Sequence, residues 1–185
     1  MRVISGKLNG RVLKGYDILG TRPTMDRVKE SLFASIQDYI QGSIVLDLFA
    51  GSGNLGIEAI SNGCKKCYFV DYNRECIKVI KDNIKNFHIE DQCVVLERDY
   101  HEALKYFSDQ HLIFDIIFID PPYRYSVREE LLKTILEYEL LAEDGLVVFE
   151  YQNDEDIGKD ISFSLIKNKK YGDKWISIYQ KCINL

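Results

Sequence analysis

Between residues 43 and 151, short apolar runs alternate with segments of helical period, and that alternation leaves few folds open. Strands are expected at 43–48, 67–71, 93–97, 114–119 and 146–151, with helices at 54–62, 73–86, 100–107 and 126–139 between them. Strand–helix–strand units of this kind build a parallel sheet with helices on both faces. The end of the chain departs from the pattern. Residues 161–166 and 174–181 read as two strands joined through Tyr171-Gly172-Asp173, an antiparallel hairpin at one edge. The expected class is therefore α/β, a doubly wound, Rossmann-like sheet of seven strands, mostly parallel. No repeat, low-complexity tract or Pro/Ser-rich linker divides the 185 residues, so a single domain over 1–185 is expected, with 41–185 as its core. Residues 1–40 form an appendage to that core. In it, Arg2–Ser5 and Arg11–Lys14 are strand candidates flanking the turn signal Asn9-Gly10. Thr24 then caps a helix to about Tyr39, with Val28, Leu32, Phe33, Ile36 and Ile40 on one face.

Two classes of function are set aside by composition. No apolar run approaches the ~20 residues that cross a bilayer, and the first residues lack the apolar core of a signal peptide. A cytoplasmic protein with no membrane partner is expected. The five cysteines (64, 67, 76, 93 and 182) are an odd number without regular spacing, as in a reduced protein. Cys64 and Cys67 form a CxxC, but His88, His101 and His111 offer no second ligand pair at zinc spacing, so no metal is expected. Net charge is −5, yet residues 1–30 hold seven basic groups against three acidic ones. A basic leading segment on an acidic protein is suited to a polyanion, although a solvated mixed-charge surface has the same composition.

The run Val45-Leu46-Asp47-Leu48-Phe49-Ala50-Gly51-Ser52-Gly53-Asn54-Leu55-Gly56 is a strand, a glycine-rich turn and the start of a helix. Gly51, Gly53 and Gly56 satisfy G-x-G-x-x-G in the context that nucleotide-type cofactors require. Asp71 ends the second strand twenty residues after Gly51, where a carboxylate accepts from two ribose hydroxyls. Asp47 discriminates among cofactors. A carboxylate just before the loop repels a pyrophosphate but suits an ammonium or sulfonium group, which favours S-adenosylmethionine, with S-adenosylhomocysteine as product. Asp99, after the third strand, either accepts from the adenine amine or caps the next helix. Phe49, Ser52 and Tyr72 complete the candidate cofactor set, to which Asp120 also belongs.

The apolar run Phe114–Ile119 is followed by Asp120-Pro121-Pro122-Tyr123. Two prolines force a stiff exit from the sheet. They present a carboxylate, fixed carbonyls and an aromatic ring at the carboxyl end of a strand, where open α/β sheets bind ligands. Such a group accepts from a planar amine and stacks on its ring. A plain strand exit with a surface Tyr is the bland reading.

Together, Asp-x-Phe-x-Gly-x-Gly at 47–53, Asp71, Asp99 and Asp-Pro-Pro-Tyr at 120–123 resemble the class I S-adenosylmethionine-dependent amino-methyltransferases. Arg2-Val3-Ile4-Ser5-Gly6, Gly10-Arg11, Arg22-Pro23-Thr24, Asp26-Arg27-Val28 and Leu46–Gly53 resemble the bacterial RsmD family. That resemblance implies methylation of the N2 amine of a guanine in 16S ribosomal RNA, with the rRNA or the small ribosomal subunit as partner. It implies that Asp120 and the Pro121 carbonyl accept the two amine N–H bonds. Pro122 would stiffen the loop, and Tyr123 would stack on a base flipped out of its helix. Arg2, Lys7, Arg11, Arg22 and Arg27 are the candidate phosphate contacts; Arg27 has Asp26 and Glu30 as alternative partners. Glu58 also matches the family, though a packing role is as good a reading. Lys174, Trp175 and Tyr179 border the site or pack in the sheet. Where the family has Ser-Arg-Gly after the first Rossmann helix, this chain has Ser61-Asn62-Gly63.

The tetrapeptide serves any exocyclic amine, so adenine-N6 or cytosine-N4 methylation of DNA is the alternative. The absence of a target-recognition domain speaks against it. A non-catalytic RNA-binding module is more remote, since Asp47, Asp71 and Asp120 are all present. A monomer is expected, because no surplus apolar stripe announces an interface.

Overall fold

The computed structural model describes residues 1–15, 23–122, 127–151 and 162–182. Seven strands form one sheet: β1 (Ile44–Asp47), β2 (Lys66–Asp71), β3 (Cys93–Glu97), β4 (Phe114–Ile119), β5 (Leu141–Tyr151), β6 (Phe163–Tyr171) and β7 (Lys174–Lys181). Their order is β3-β2-β1-β4-β5-β7-β6, parallel through β5, with β7 antiparallel to both of its neighbours. The expected doubly wound sheet with an edge hairpin is thus the one that forms. Strand order reverses between β1 and β4, which opens a crevice at their carboxyl ends.

Helices α1 (Pro23–Ile40), α2 (Asn54–Ser61), α3 (Arg74–Phe87), α4 (Tyr100–Asp109) and α5 (Arg128–Glu137) cover the sheet. On one face, the apolar stripe of α1 joins α2, α3 and the leading segment in a core built on Phe69, Ile116, Phe118 and Val148. On the other, α4 and α5 bury Leu104, Phe107, Leu132 and Ile135 against Leu46, Ile117 and Phe149. Helix α1 begins at Pro23, two residues earlier than a Thr24 cap would give, so Thr24 lies inside its first turn; proline holds the first helical position, where its missing N–H is harmless. No helix among the described residues is long and apolar enough to cross a membrane.

The leading segment differs from expectation. Instead of two paired strands, a single antiparallel bridge links Arg2 and Val12. A 3-10 turn at Gly6–Leu8 intervenes. Asn9 (φ −48°, ψ 136°) and Gly10 (φ +83°) form a type II turn closed by the Arg11 amide on the Leu8 carbonyl at 3.1 Å, rather than the primed turn of a tight hairpin. The segment pairs instead with α2. Gly6 comes so near the Ser61 carbonyl that a Cβ would stand 1.9 Å from its oxygen. Ser61 Oγ accepts from the Leu8 amide at 2.9 Å and donates to the Ser5 carbonyl. Asn62, where the family-like pattern has arginine, bonds Ser5 Oγ.

A buried ion pair completes this attachment. Lys29 of α1 and Glu58 of α2 meet at 2.9 Å with side chains 4% and 0% exposed. Glu58 also accepts from the amides of Ile4 and Ser5 and from Ser5 Oγ. Lys29 donates to the Arg2 carbonyl at 2.6 Å and to Asn54 Oδ1 at 2.7 Å. Burial lowers the pKa of Lys29, and the Glu58 carboxylate pulls it back upward. The packing reading of Glu58 is therefore the one its contacts support. Removing one member strands a buried charge. Lys29→Met is expected to lower stability by about 3–5 kcal/mol in denaturant unfolding, with the Lys29→Met/Glu58→Leu double variant recovering much of that loss.

Candidate functional site

Parallel strands that end together bring their following residues to one edge, and here that edge is acidic. Asp47 closes β1, in register with Phe69 of β2 and Phe118 of β4. Asp71 closes β2, Asp99 follows β3 and Asp120 follows β4. Glu150 sits near the end of β5, one residue past Phe149, which is paired with Ile119. Asp120 and Glu150 are therefore neighbours across adjacent strands.

The glycine loop is held from below. Asp47 is buried, and its Oδ2 accepts from the Gly56 amide at 2.9 Å. Burial pushes its carboxyl up to about 7; the Gly56 N–H opposes this and the nearby Asp71 charge adds to it. Gly53 takes a left-handed φ of +80° as the cap of α2. A Cβ on Gly56 would lie 2.3 Å from the Phe69 ring, so only glycine lets α2 approach β2 here. Gly51, at φ +57°, has nothing within 4 Å of a notional Cβ and leaves the loop open toward the edge. Ser52 is buried, its carbonyl accepting from Asn83 Nδ2 of α3 at 3.1 Å and its hydroxyl lying 3.8 Å from Met1 Sδ.

Asp71 braces this loop from the side. One oxygen accepts from the Gly51 amide and the other from the Asn73 amide, both at 2.9 Å. Tyr72 beside it is 67% exposed. Asp99 caps α4 through the His101 amide at 2.9 Å, so the capping alternative describes one of its oxygens. Phe49 is half-buried and stacks at 5.3 Å on Tyr100, an aromatic neighbour that sequence reasoning missed.

At the β4 exit, Asp120 and Pro121 are half-buried and Pro122 is exposed. Loss of hydration drives the Asp120 carboxyl well above its ordinary range, and the Glu150 carboxylate raises it further; Lys174 opposes both, and Asp47 adds a smaller push. Glu150 is itself ion-paired to Lys174 at the start of β7. Sequence reasoning placed Lys174 at the border of the site but missed Glu150. The signal was available as an acidic residue at the end of an otherwise apolar strand. Trp175 and Tyr179 lie in β7, with Tyr179 buried edge-on to Phe149 at 6.1 Å. Tyr123 and Arg22 lie outside the described residues.

Among the described basic candidates, Lys7 and Arg11 lie away from this edge. Arg2 pairs with Asp26 at 3.3 Å near the start of α1. Lys7 donates to Gln92, just before β3, and Arg11 to the Asn86 carbonyl while lying 4.7 Å from the Phe87 ring. Both of those positions are at the amino end of the sheet, away from Asp120. Arg27 is exposed on α1. A cavity of about 250 Å³ lined by Tyr39, Ser43, Asp115, Glu143 and Asp144 also opens at the amino end and contains none of the candidates.

The cysteines are free thiols. Cys64 precedes β2, and Cys67 faces Cys93 across β2 and β3. Burial pushes Cys64 and Cys93 up to about 12 and Cys67 well above its ordinary range, which keeps them protonated and unreactive at neutral pH. Among the described residues, no three His, Cys, Asp or Glu side chains are grouped to hold a metal ion.

Known proteins share this arrangement along the whole chain. Residues 1–180 match the family described as Conserved hypothetical protein 95. A Bacillus subtilis (strain 168) protein named putative rRNA methyltransferase YlbH is 41% identical over 182 residues, covering 98% of this chain and 99% of that one. Ribosomal RNA small subunit methyltransferase D of Haemophilus influenzae is 33% identical, with 97% and 93% covered. Among solved structures, a putative methyltransferase, yhhF, from Escherichia coli superposes with a TM-score of 0.84 at 28% identity, over 100% of this chain and 99% of that one. The acidic carboxyl edge, the glycine loop and a likeness unbroken from end to end have one explanation: the chain belongs to the Conserved hypothetical protein 95 family, the RsmD family of methyltransferases.

Proposed function

We propose that the protein transfers a methyl group from S-adenosylmethionine to the exocyclic N2 amine of a guanine in small-subunit ribosomal RNA, acting in the cytoplasm on the rRNA or on the small subunit. The observation that supports the reading is that Asp47 and Asp120 stand at the carboxyl ends of the adjacent strands β1 and β4, across the reversal of strand order, with the Pro121-Pro122 exit beside them. The names of the relatives support RNA as the acceptor.

The residues fit this cofactor in kind. Asp47 places a buried carboxyl under the loop, which in its ionised form suits a cationic ligand and repels a phosphate. Gly51 leaves room for close approach, and Asp71, Asp99, Phe49, Ser52, Gly53 and Tyr72 surround the same edge as candidate contacts. S-adenosylmethionine supplies a sulfonium-bound, electrophilic methyl. The chain's part is to prepare the acceptor. Asp120 and the Pro121 carbonyl accept the two amine N–H bonds and aim the nitrogen lone pair. Asp120 then stabilises the positive charge that develops on nitrogen and takes the departing proton. Pro122 limits the play of the loop, and misplacement by ångströms is costly in rate. Tyr123 is given the stacking role on sequence grounds alone. A single domain and a monomer are part of this proposal.

Labelled methyl transfer to unmodified small-subunit rRNA, naked and in particles, tests the reading. N2-methylguanosine is the expected product. Asp120→Ala should lower turnover by at least ~100-fold while cofactor affinity stays within a few fold. Methylation of duplex DNA but not of rRNA would overturn it.

The charges around Asp120 set a pH dependence with a definite sign. Only the ionised carboxylate accepts and takes up a proton, so the rate falls as pH drops through its raised pKa. Glu150→Gln removes a like charge and should move that acid limb to lower pH. Lys174→Met removes the opposing cation and should move it to higher pH. Single-turnover rates across pH read both; limbs that stay fixed would remove Asp120 from the proton-accepting role.

Cofactor binding should also report Asp47. A cation favours its ionised form, so affinity is expected to rise with pH through about 7. Calorimetry between about pH 5.5 and 7.5, below the range in which an α-amino group of pKa ~8 is largely neutral, should show proton release. Asp47→Asn should bind more weakly and without that release.

A further inference from the structure

Lys174 apart, the lysines of the last hairpin have no part in the chemistry above, yet they are concentrated. Residues 162–182 carry five lysines against one aspartate in a chain of net charge −5. Their placement follows from two periodicities. In β6, alternate residues share a face, so Lys167, Lys169 and Tyr171 point together. The Lys169 ammonium lies 5.1 Å from the Tyr171 ring, as that alternation requires. In α1, residues four apart share a stripe, which aligns Arg27, Ser31 and Ser35.

The two stripes face each other. Ser31 Oγ and the Tyr171 hydroxyl are 2.5 Å apart, and Lys167 Nζ donates to Ser35 Oγ. A seam thus runs between α1 and β6, with serine and tyrosine hydroxyls along its floor. Arg27, Lys167 and Lys169 supply its charge; Arg27 and Lys169 are exposed and Lys167 is partly so. Its upper end is at the site. Tyr171 pairs with Lys174, and Lys174 is bonded to Glu150, the neighbour of Asp120. Strand β6 is three strands from β4, roughly 14 Å at about 4.8 Å per strand.

We infer that this seam is a track for the sugar–phosphate backbone of the RNA strand that enters or leaves the catalytic edge. The inference rests on the rRNA reading above. Charge complementarity selects the occupant. The carboxyl edge is lined with Asp47, Asp71, Asp99 and Glu150, which repel phosphate, while Lys7 and Arg11 are at the opposite end of the sheet. Among the described residues, the seam is a cationic surface whose upper end lies on the flank of that edge. Hydroxyl-floored lysine and arginine contacts position a backbone without reading bases.

The test uses the full chain and an unmodified transcript of small-subunit rRNA. Arg27→Gln/Lys169→Gln is compared with Lys105→Gln/Lys133→Gln, which removes the same charge from α4 and α5 on the other face. The seam variant should raise KM for RNA about tenfold and leave kcat and S-adenosylmethionine affinity within twofold. Its binding should lose about 1.4–1.8 from the slope of log affinity against log salt, as two lost phosphate contacts require. The control should change neither. Wild-type protein that neither binds nor methylates the transcript would overturn the rRNA reading and the seam with it. Wild-type activity with equal behaviour of the seam and control variants would overturn the seam alone.

Discussion

An ammonium and a carboxylate buried together between two helices determine how the first fifteen residues join the rest of the molecule. Lys29 and Glu58 are both essentially without solvent. Dehydrating such a pair is expensive, and it persists because the remaining valences are filled by the Ile4 and Ser5 amides, Ser5 Oγ, the Arg2 carbonyl and Asn54 Oδ1. Apolar residues of equal volume would hold α1 to α2 at least as strongly. They would not specify which backbone groups of the leading segment dock there. That specificity carries through to the glycine loop. Asn54 is the first residue of α2, directly after the loop, and Asn83 joins Ser52 to Lys14. The leading segment is thus part of the support of the cofactor loop as well as a cover for the sheet.

Above that support, the sheet gathers like charges. Parallel strands expose their carboxyl ends together, and an acidic residue at or near the end of all five makes an edge in which Asp71 raises the pKa of Asp47, and Glu150 and Asp47 raise that of Asp120. Such an arrangement is unfavourable on its own. Part of the compensation is internal: Gly51 and Asn73 amides on Asp71, the Gly56 amide on Asp47, and Lys174 beside Glu150 and Asp120. The rest matches the proposed chemistry. A cationic cofactor lowers the energy of the carboxylates nearest it, and an amine that becomes positive in reaction lowers that of Asp120. Charge strain in the resting protein is then relieved as the reaction advances, which is the direction in which binding energy raises rate.

The sheet and its helices were legible because their signals are periodic and local. The stripe Val28, Leu32, Phe33, Ile36 and Ile40 is buried as its spacing required, and the runs that became β1 to β4 are bounded by turns within one or two residues of the expected places. What escaped was decided by partners distant in sequence. The Asn9-Gly10 signal is real, but docking on Glu58 and Ser61 fixes the flanking chain in a geometry that admits only one bridge. Strand β6 runs to Tyr171, well past residue 166, because pairing with β7 stabilises a lysine-rich stretch whose own pattern is weak. Strand β5 begins at Leu141 rather than 146 through a register shift against β4. Asp47 and Asp120 announced themselves by motif, while Glu150 acquires its position only from strand register. The leading-segment cations show the converse limit. Their charge is plain in the sequence, but which end of the sheet they occupy follows from where that segment docks.

That separation of charges has a consequence for how such an enzyme works. A polyanion cannot be drawn to a carboxylate-lined edge, so attraction has to come from the flanks and the last step of approach has to be driven by the base itself. Phosphate contacts along the flanks are long-range and weaken with salt. Stacking and amine hydrogen bonds at the edge are short-range and insensitive to it. Affinity for the strand and commitment of one base are then governed by different residues on different elements. On the proposed function, an extrahelical guanine would gain the edge contacts without bringing its phosphates among the carboxylates, whereas a stacked, paired one would not. Repulsion at the edge thereby works as a filter, favouring a nucleotide that can turn its base inward and keep its backbone on the cationic rim.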